Sequence, residues 1–174
     1  HIGGQLAFSE DPFDWTSAIR TPVPGVGIMD IAYADGTYVA VGWGGIRFSR
    51  DGRSWQPAVV EGEVFLNRVA RFGHRWFAVG KSGTLLRSEG DVDRWSRVRL
   101  ATTDHFFGVA ASPNELVAVA QMGARVRLDR NGNLTEGRLP IDYSSEVGEV
   151  TYGADRFLAW TETAGLFTSN DGVA

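Results

Sequence analysis

Asp11, Asp51, Asp91, Asn131 and Asp171 stand 40 residues apart along this chain of 174 residues. Trp15, Trp55 and Trp95 keep the same interval, as do Ser9 and Ser49, and Ser169 falls three intervals after Ser49. A fixed period of roughly 20–50 residues marks a repeat architecture, in which each unit buries its faces only against its neighbours. A β-sandwich or barrel gives no reason for several residue types to share one period.

The unit is legible from Ile28 to Val60. Ile28–Tyr33 reads as a strand, Asp35-Gly36 as a hairpin turn, and Tyr38–Gly42 as a second strand. Gly44-Gly45 turns the chain again into Ile46–Ser49, and Asp51-Gly52 leads to an outer strand, Trp55–Val59, where Pro57 is tolerated. The second strand recurs with a small residue at its centre: Ala40, Ala78, Ala118 and Ala159. Such a residue lets neighbouring sheets approach face to face. Gly45, Gly83, Gly123 and Gly165 mark the following turn, and Gly4–Ser9 matches Gly45–Ser49, so the chain opens inside a unit.

These features predict an all-β chain: a β-propeller of four-stranded antiparallel blades, with about four repeats of 40 residues. The repeats fall near 1–26 (partial), 27–64, 65–104, 105–145 and 146–174 (partial), within a single propeller domain or a segment of one. The N-terminus supplies a third and a fourth strand. The fourth, near Trp15, is expected either to close onto the C-terminal strands as a four-bladed ring or to leave an arc that a second copy completes.

Composition narrows the function classes. The net charge is -4 with no basic stripe, which argues against nucleic acid. The apolar runs are short and broken, so no membrane span is expected, and no signal peptide is read at the N-terminus. The opening His in place of Met suggests a processed or excised chain. Zero cysteines exclude disulfides and thiolate metal sites, and His1, His74 and His105 share no metal-ligand spacing. No metal and no cofactor are expected.

The turn Ser49-Arg50-Asp51-Gly52-Arg53-Ser54-Trp55 resembles the Asp-box, or BNR repeat, of sialidase-like and photosystem assembly factor-like propellers. The resemblance implies that the Asp caps the turn between third and fourth strands and that the Trp packs between blades. Ser9, Asp11 and Trp15 form a copy with Pro12 in place of Gly. Asp91 and Trp95 lie in a stretched copy, Asn131 in a degenerate one with Thr135 in place of Trp, and Ser169 and Asp171 begin another. These residues are read as structural, together with Ser49, Asp51, Gly52 and Trp55. The resemblance also favours an extracytoplasmic or secreted location.

Function is sought where the repeat diverges. Trp43, Lys81, Gln121 and Glu162 occupy one equivalent position in the loop between second and third strands. Asp30, Arg68, Gly108 and Glu149 are equivalent first-strand positions expected near the channel. The loops entering the first strands carry Arg20, Glu61, Glu63, Asp104, His105, Asp142 and Tyr143. No catalytic set is assigned: Arg68 and Glu149, or the pair Asp30 and Glu149, are the only suggestions of sialidase or glycosidase chemistry. The leading expectation is a non-catalytic module for protein–protein recognition or assembly, with self-association as a homodimer. The alternatives are a carbohydrate-binding or sialidase-like glycoside-hydrolase propeller, with Trp43 as a sugar platform, and an excised or engineered propeller fragment.

Overall fold

Short alternating strands joined by tight turns become eighteen β-strands in the computed structural model, which describes residues 3–9, 11–16, 18–88, 90–141, 146–162 and 165–172. An N-terminal hairpin pairs β1 (Gly3–Phe8) with β2 (Ile19–Pro24). Blade 1 follows as β3 (Gly27–Ala34), β4 (Thr37–Trp43), β5 (Gly45–Ser49) and β6 (Gln56–Pro57). After β7 (Val59–Val60), blade 2 comprises β8 (Leu66–Phe72), β9 (Arg75–Gly80), β10 (Leu85–Ser88) and β11 (Arg94–Arg97). Blade 3 is β12 (Phe106–Ala111), β13 (Glu115–Ala120), β14 (Ala124–Asp129) and β15 (Leu134–Arg138). Blade 4 has β16 (Val147–Gly153), β17 (Arg156–Thr161) and β18 (Gly165–Ser169). The four antiparallel sheets stand side by side as blades of a β-propeller.

Two strand expectations need correction. The outer strand of blade 1 is only Gln56–Pro57, because Pro57 has no N–H to extend the ladder. The chain then crosses, and β7 pairs in parallel with β11 at the outer edge of blade 2. At the N-terminus the fourth strand lies beyond Trp15, at Ile19–Pro24. It pairs with β1 rather than with the C-terminal strands.

The turns explain the 40-residue period. At the third turn of blade 1, Asp51 Oδ1 accepts the N–H groups of Arg53 (2.8 Å) and Ser54 (2.7 Å) and the Ser49 hydroxyl (2.9 Å). These donors hold the Asp51 carboxyl well below the usual carboxylate range. Asp11 accepts from Phe13 N–H and Asp91 from Val92 N–H, while Ser169 donates to Asp171 as Ser49 does to Asp51. The fourth turn departs from the expectation. Asp129, not Asn131, is its cap, accepting from the N–H groups of Asn131 and Asn133, because an acceptor two residues earlier reaches both.

The tryptophans carry a second repeated bond. Each indole N–H donates to the carbonyl three residues before it: Trp15 to Pro12 (3.0 Å), Trp55 to Gly52 (3.1 Å) and Trp95 to Val92 (2.7 Å). Their burial differs. Trp95 is buried against blade 1 and Trp55 is half-buried beside Tyr38, but Trp15 is 56% exposed. Trp15 belongs to the hairpin, and no described blade stands before it.

The core is not one cluster but three, each between adjacent blades. Val39, Val41 and Ile46 of blade 1 meet Leu66, Val69 and Trp76 of blade 2. Phe77, Val79 and Leu85 meet Phe106, Val109 and Leu116 across the next gap. Val117 and Val119 meet Val147, Val150 and Phe157 across the last. Ala40, Ala78, Ala118 and Ala159 are all buried, as close approach of the sheets requires.

Trp95→Ala should lower the unfolding free energy by about 3–5 kcal/mol, and Trp15→Ala by less than about 1 kcal/mol. Urea titration followed by fluorescence checks this. Equal losses at the two positions would overturn the packing account of the turns.

Candidate functional site

Antiparallel connectivity puts the loops between second and third strands, and those entering first strands, at one end of the blades. Inside that end, the first strand of every blade carries a β-bulge just before Asp30, Arg68, Gly108 or Glu149. A bulge re-aims the residue that follows it. Here it gathers the charged groups of three blades. Arg68 Nε donates to Glu149 Oε1 at 3.0 Å, joining blades 2 and 4. Gly108 of blade 3 lies between them, and a Cβ there would stand 2.5 Å from Val150 N. Only glycine lets β12 and β16 approach so closely.

Asp30 bridges blades 1 and 2. Its Oδ2 accepts Val69 N–H and its Oδ1 accepts Ile31 N–H, each at 2.9 Å. Burial nevertheless pushes its carboxyl up, against the opposing pull of these N–H groups and of Arg68; Glu149 pushes in the same direction as burial. Asn67, in the bulge itself, is buried and donates to Phe106 O at 2.7 Å across the next gap.

At the loop rim, Trp43 is 49% exposed and its ring meets Phe65 at 4.5 Å between centroids. Lys81 Nζ sits 3.8 Å from the centroid of the same Phe65 ring. The result is an exposed aromatic and cationic patch between blades 1 and 2, beside an open groove of about 430 Å³. His105 Nδ1 accepts Ser82 N–H at 3.1 Å. Gln121 donates to Glu146, and Glu162 is exposed. Asp104 faces Arg138 at 3.9 Å, while Arg20, Glu61 and Glu63 are exposed. Asp142 and Tyr143 lie outside the described residues.

The candidate residues therefore share one end of the molecule but form separate groups: Asp30, Arg68 and Glu149 at the channel, Trp43 and Lys81 at one rim, Gln121 at another. Phe65, Asn67 and Glu146 were not singled out by the sequence. A usable signal existed for Phe65 and Glu146, which are repeat-equivalent to Gly27 and His105. In three blades the residue after the second strand donates its N–H to that position: Lys81 to Phe65, Gln121 to His105 and Glu162 to Glu146.

The chain matches no protein-family model, and a search of curated proteins gives no match. Solved structures do match. The computationally designed Ika8 protein aligns with TM-score 0.66 at 14% identity, over 84% of this chain and 46% of that one. Virginiamycin B lyase from Staphylococcus aureus aligns at 0.67 with 13% identity, over 88% and 60%. YCF48 from Cyanidioschyzon merolae aligns at 0.63 with 22% identity, over 86% and 57%, and a YCF48 structure holding a D1 peptide at 0.58 with 14% identity, over 82% and 48%. The shared feature is the β-propeller fold. The chain spans about half the length of these proteins.

The raised Asp30 value has a defined sign. A carboxyl whose folded pKa lies above its unfolded value of 3.8 adds stability at low pH and loses it as pH rises through the folded value. Wild type should therefore gain stability relative to Asp30→Asn as pH falls from neutral towards 4 (about the unfolded carboxylate range). A flat or opposite difference in parallel urea titrations would contradict it.

Proposed function

We propose that the chain is a non-catalytic recognition module of Asp-box type that engages a protein or peptide through its loop end. The observation that carries this reading is the Trp43–Phe65–Lys81 patch. It is exposed, pairs an aromatic surface with a cation, and occupies positions that diverge from blade to blade over a constant backbone framework. Interfaces draw their binding energy from such aromatic anchors. The YCF48 fold accommodates a peptide in a solved complex, which fits the same use. The channel groups support a structural role rather than chemistry: Arg68 is neutralised by Glu149, and Asp30 is committed to the backbone of blade 2.

One observation favours a carbohydrate reading as the second choice. Trp43 is 49% exposed at the loop rim, and an exposed aromatic is what a sugar-stacking platform requires. Selection from a displayed peptide library, run beside a glycan array, separates the two. Peptides retained by the wild type should be lost on Trp43→Ala and weakened on Lys81→Ala. Glycan binding lost on Trp43→Ala, with no peptide selected, would replace the first reading by the second.

The same proposal includes a second copy of the chain. Trp160 is 46% exposed, although its equivalents Val41, Val79 and Val119 are at most 1% exposed beneath the following blade. Ile31 is 38% exposed at the position where Val69, Val109 and Val150 are buried against the preceding blade, and Tyr33 is exposed beside it. Both faces have the apolar pattern of a blade-to-blade contact, so one copy can cover them for another. Light scattering should give a dimer that Trp160→Glu converts to monomer. A wild-type monomer would overturn this part.

A further inference from the structure

Beyond the loop end, the opposite end of the molecule carries an open groove of about 900 Å³ between blades 2 and 3. Its rim includes His74, Arg75, Arg87 and Arg130, and Phe72, Phe77 and Leu128 contribute apolar surface. The charges are unusual when compared with the next blade of the same chain. Aligned on Ala78 and Ala118, Arg75 corresponds to Glu115 and Arg87 to Arg127. In blade 3 those two positions form an ion pair, Arg127 to Glu115, in which both side chains are largely buried. The pair shows that side chains at the two positions reach each other.

Blade 2 keeps the arginine and replaces the acid by a second arginine. Arg87 Nε is buried without a hydrogen-bond partner, and Arg75 has no ion pair among the described residues. The other charges nearby are already used. Arg71 pairs with Asp35 at 2.9 Å and lies over the Trp76 ring. Arg130 donates to Pro113 O. Asp129, the acid lining the groove, accepts from the N–H groups of Asn131 and Asn133 and from the Asn133 side chain. Arg87 therefore lacks the carboxylate that Arg127 has one blade later: the exposed Arg75 stands at the acid's position, both arginines line the groove, and no described acid pairs with either.

We propose that this groove binds a small phosphate or sulfate ester. Its oxyanion sits between Arg75 and Arg87, in the role Glu115 plays beside Arg127, and its organic body lies on Phe72, Phe77 and Leu128. A tetrahedral oxyanion suits the site better than a carboxylate. Its three terminal oxygens accept from two guanidinium planes at once. Concave surfaces with an apolar floor and a few convergent polar groups are the common form of small-ligand sites.

Calorimetric titration of the whole chain at low salt tests this with phenyl phosphate, inorganic phosphate and benzoate. Phenyl phosphate should bind saturably, tighter than inorganic phosphate because its ring gains the apolar floor, and benzoate should bind more weakly than either. Arg75→Glu should weaken phenyl phosphate by about tenfold or more. It should also raise the thermal midpoint, since the new carboxylate pairs with Arg87 in the manner of blade 3. Arg156→Glu changes the same repeat position in blade 4 and should leave binding unchanged. Glu89 lies outside the described residues, and Glu89→Gln should leave saturable binding in place. Absence of saturable binding, benzoate equal to phenyl phosphate, equal losses in the Arg75 and Arg156 variants, or binding that emerges only in Glu89→Gln would each overturn the proposal.

Discussion

Face-to-face packing of one blade on the next is the interaction on which everything else rests. No single sheet of four short strands buries both its faces, and each apolar cluster in this chain draws side chains from two blades. The alanines at the centre of the second strands set the spacing. With Ala78 and Ala118 buried, the sheets close until branched residues such as Val41, Val79 and Val119 interlock with Val69, Val109 and Val150. A larger residue at the alanine position would hold the sheets apart and forfeit those contacts. The turn caps and indole bonds serve this packing by fixing the turns that lead from third to fourth strands.

The same packing explains what was legible in the sequence. Strand order, turn positions and buried alanines all follow from constraints repeated from blade to blade, so Asp51, Ala40 or Gly45 could be read against at least three equivalent positions. The repeat could not show where one blade borrows from another. Val59 reads as the end of its own outer strand, yet Val59–Val60 pairs with blade 2, and nothing in two valines specifies a partner. Asn131 keeps the period but does not cap the turn; Asp129, outside the period, accepts the N–H groups instead. Trp15 kept both the period and its indole bond, but its burial depends on a neighbour that a local motif cannot encode.

The candidate site was less legible for a different reason. Equivalent loop positions diverge, and divergence identifies a place without naming its chemistry. Arg68 and Glu149 invited a catalytic reading while they were separate positions in a string. A bulge in each first strand turns them towards each other, and they form an ion pair between blades 2 and 4. Phe65 was hidden because its importance comes from two residues far apart in sequence, Trp43 and Lys81, that both meet its ring. By contrast, the unbalanced arginines of blade 2 become visible once the next blade supplies an internal control.

The crossing of β7 onto blade 2 has a consequence for the order of assembly. Almost every other strand pairing joins neighbours in sequence, so each blade can form from local hairpins at little entropic cost. The β7–β11 pairing instead joins Val59 to Arg94, and it exists only when blade 2 already has its outer edge. The exit of blade 1 is thus held by the outer edge of the sheet that follows it. The strand acts as a latch: parting blade 1 from blade 2 breaks strand pairing as well as side-chain packing.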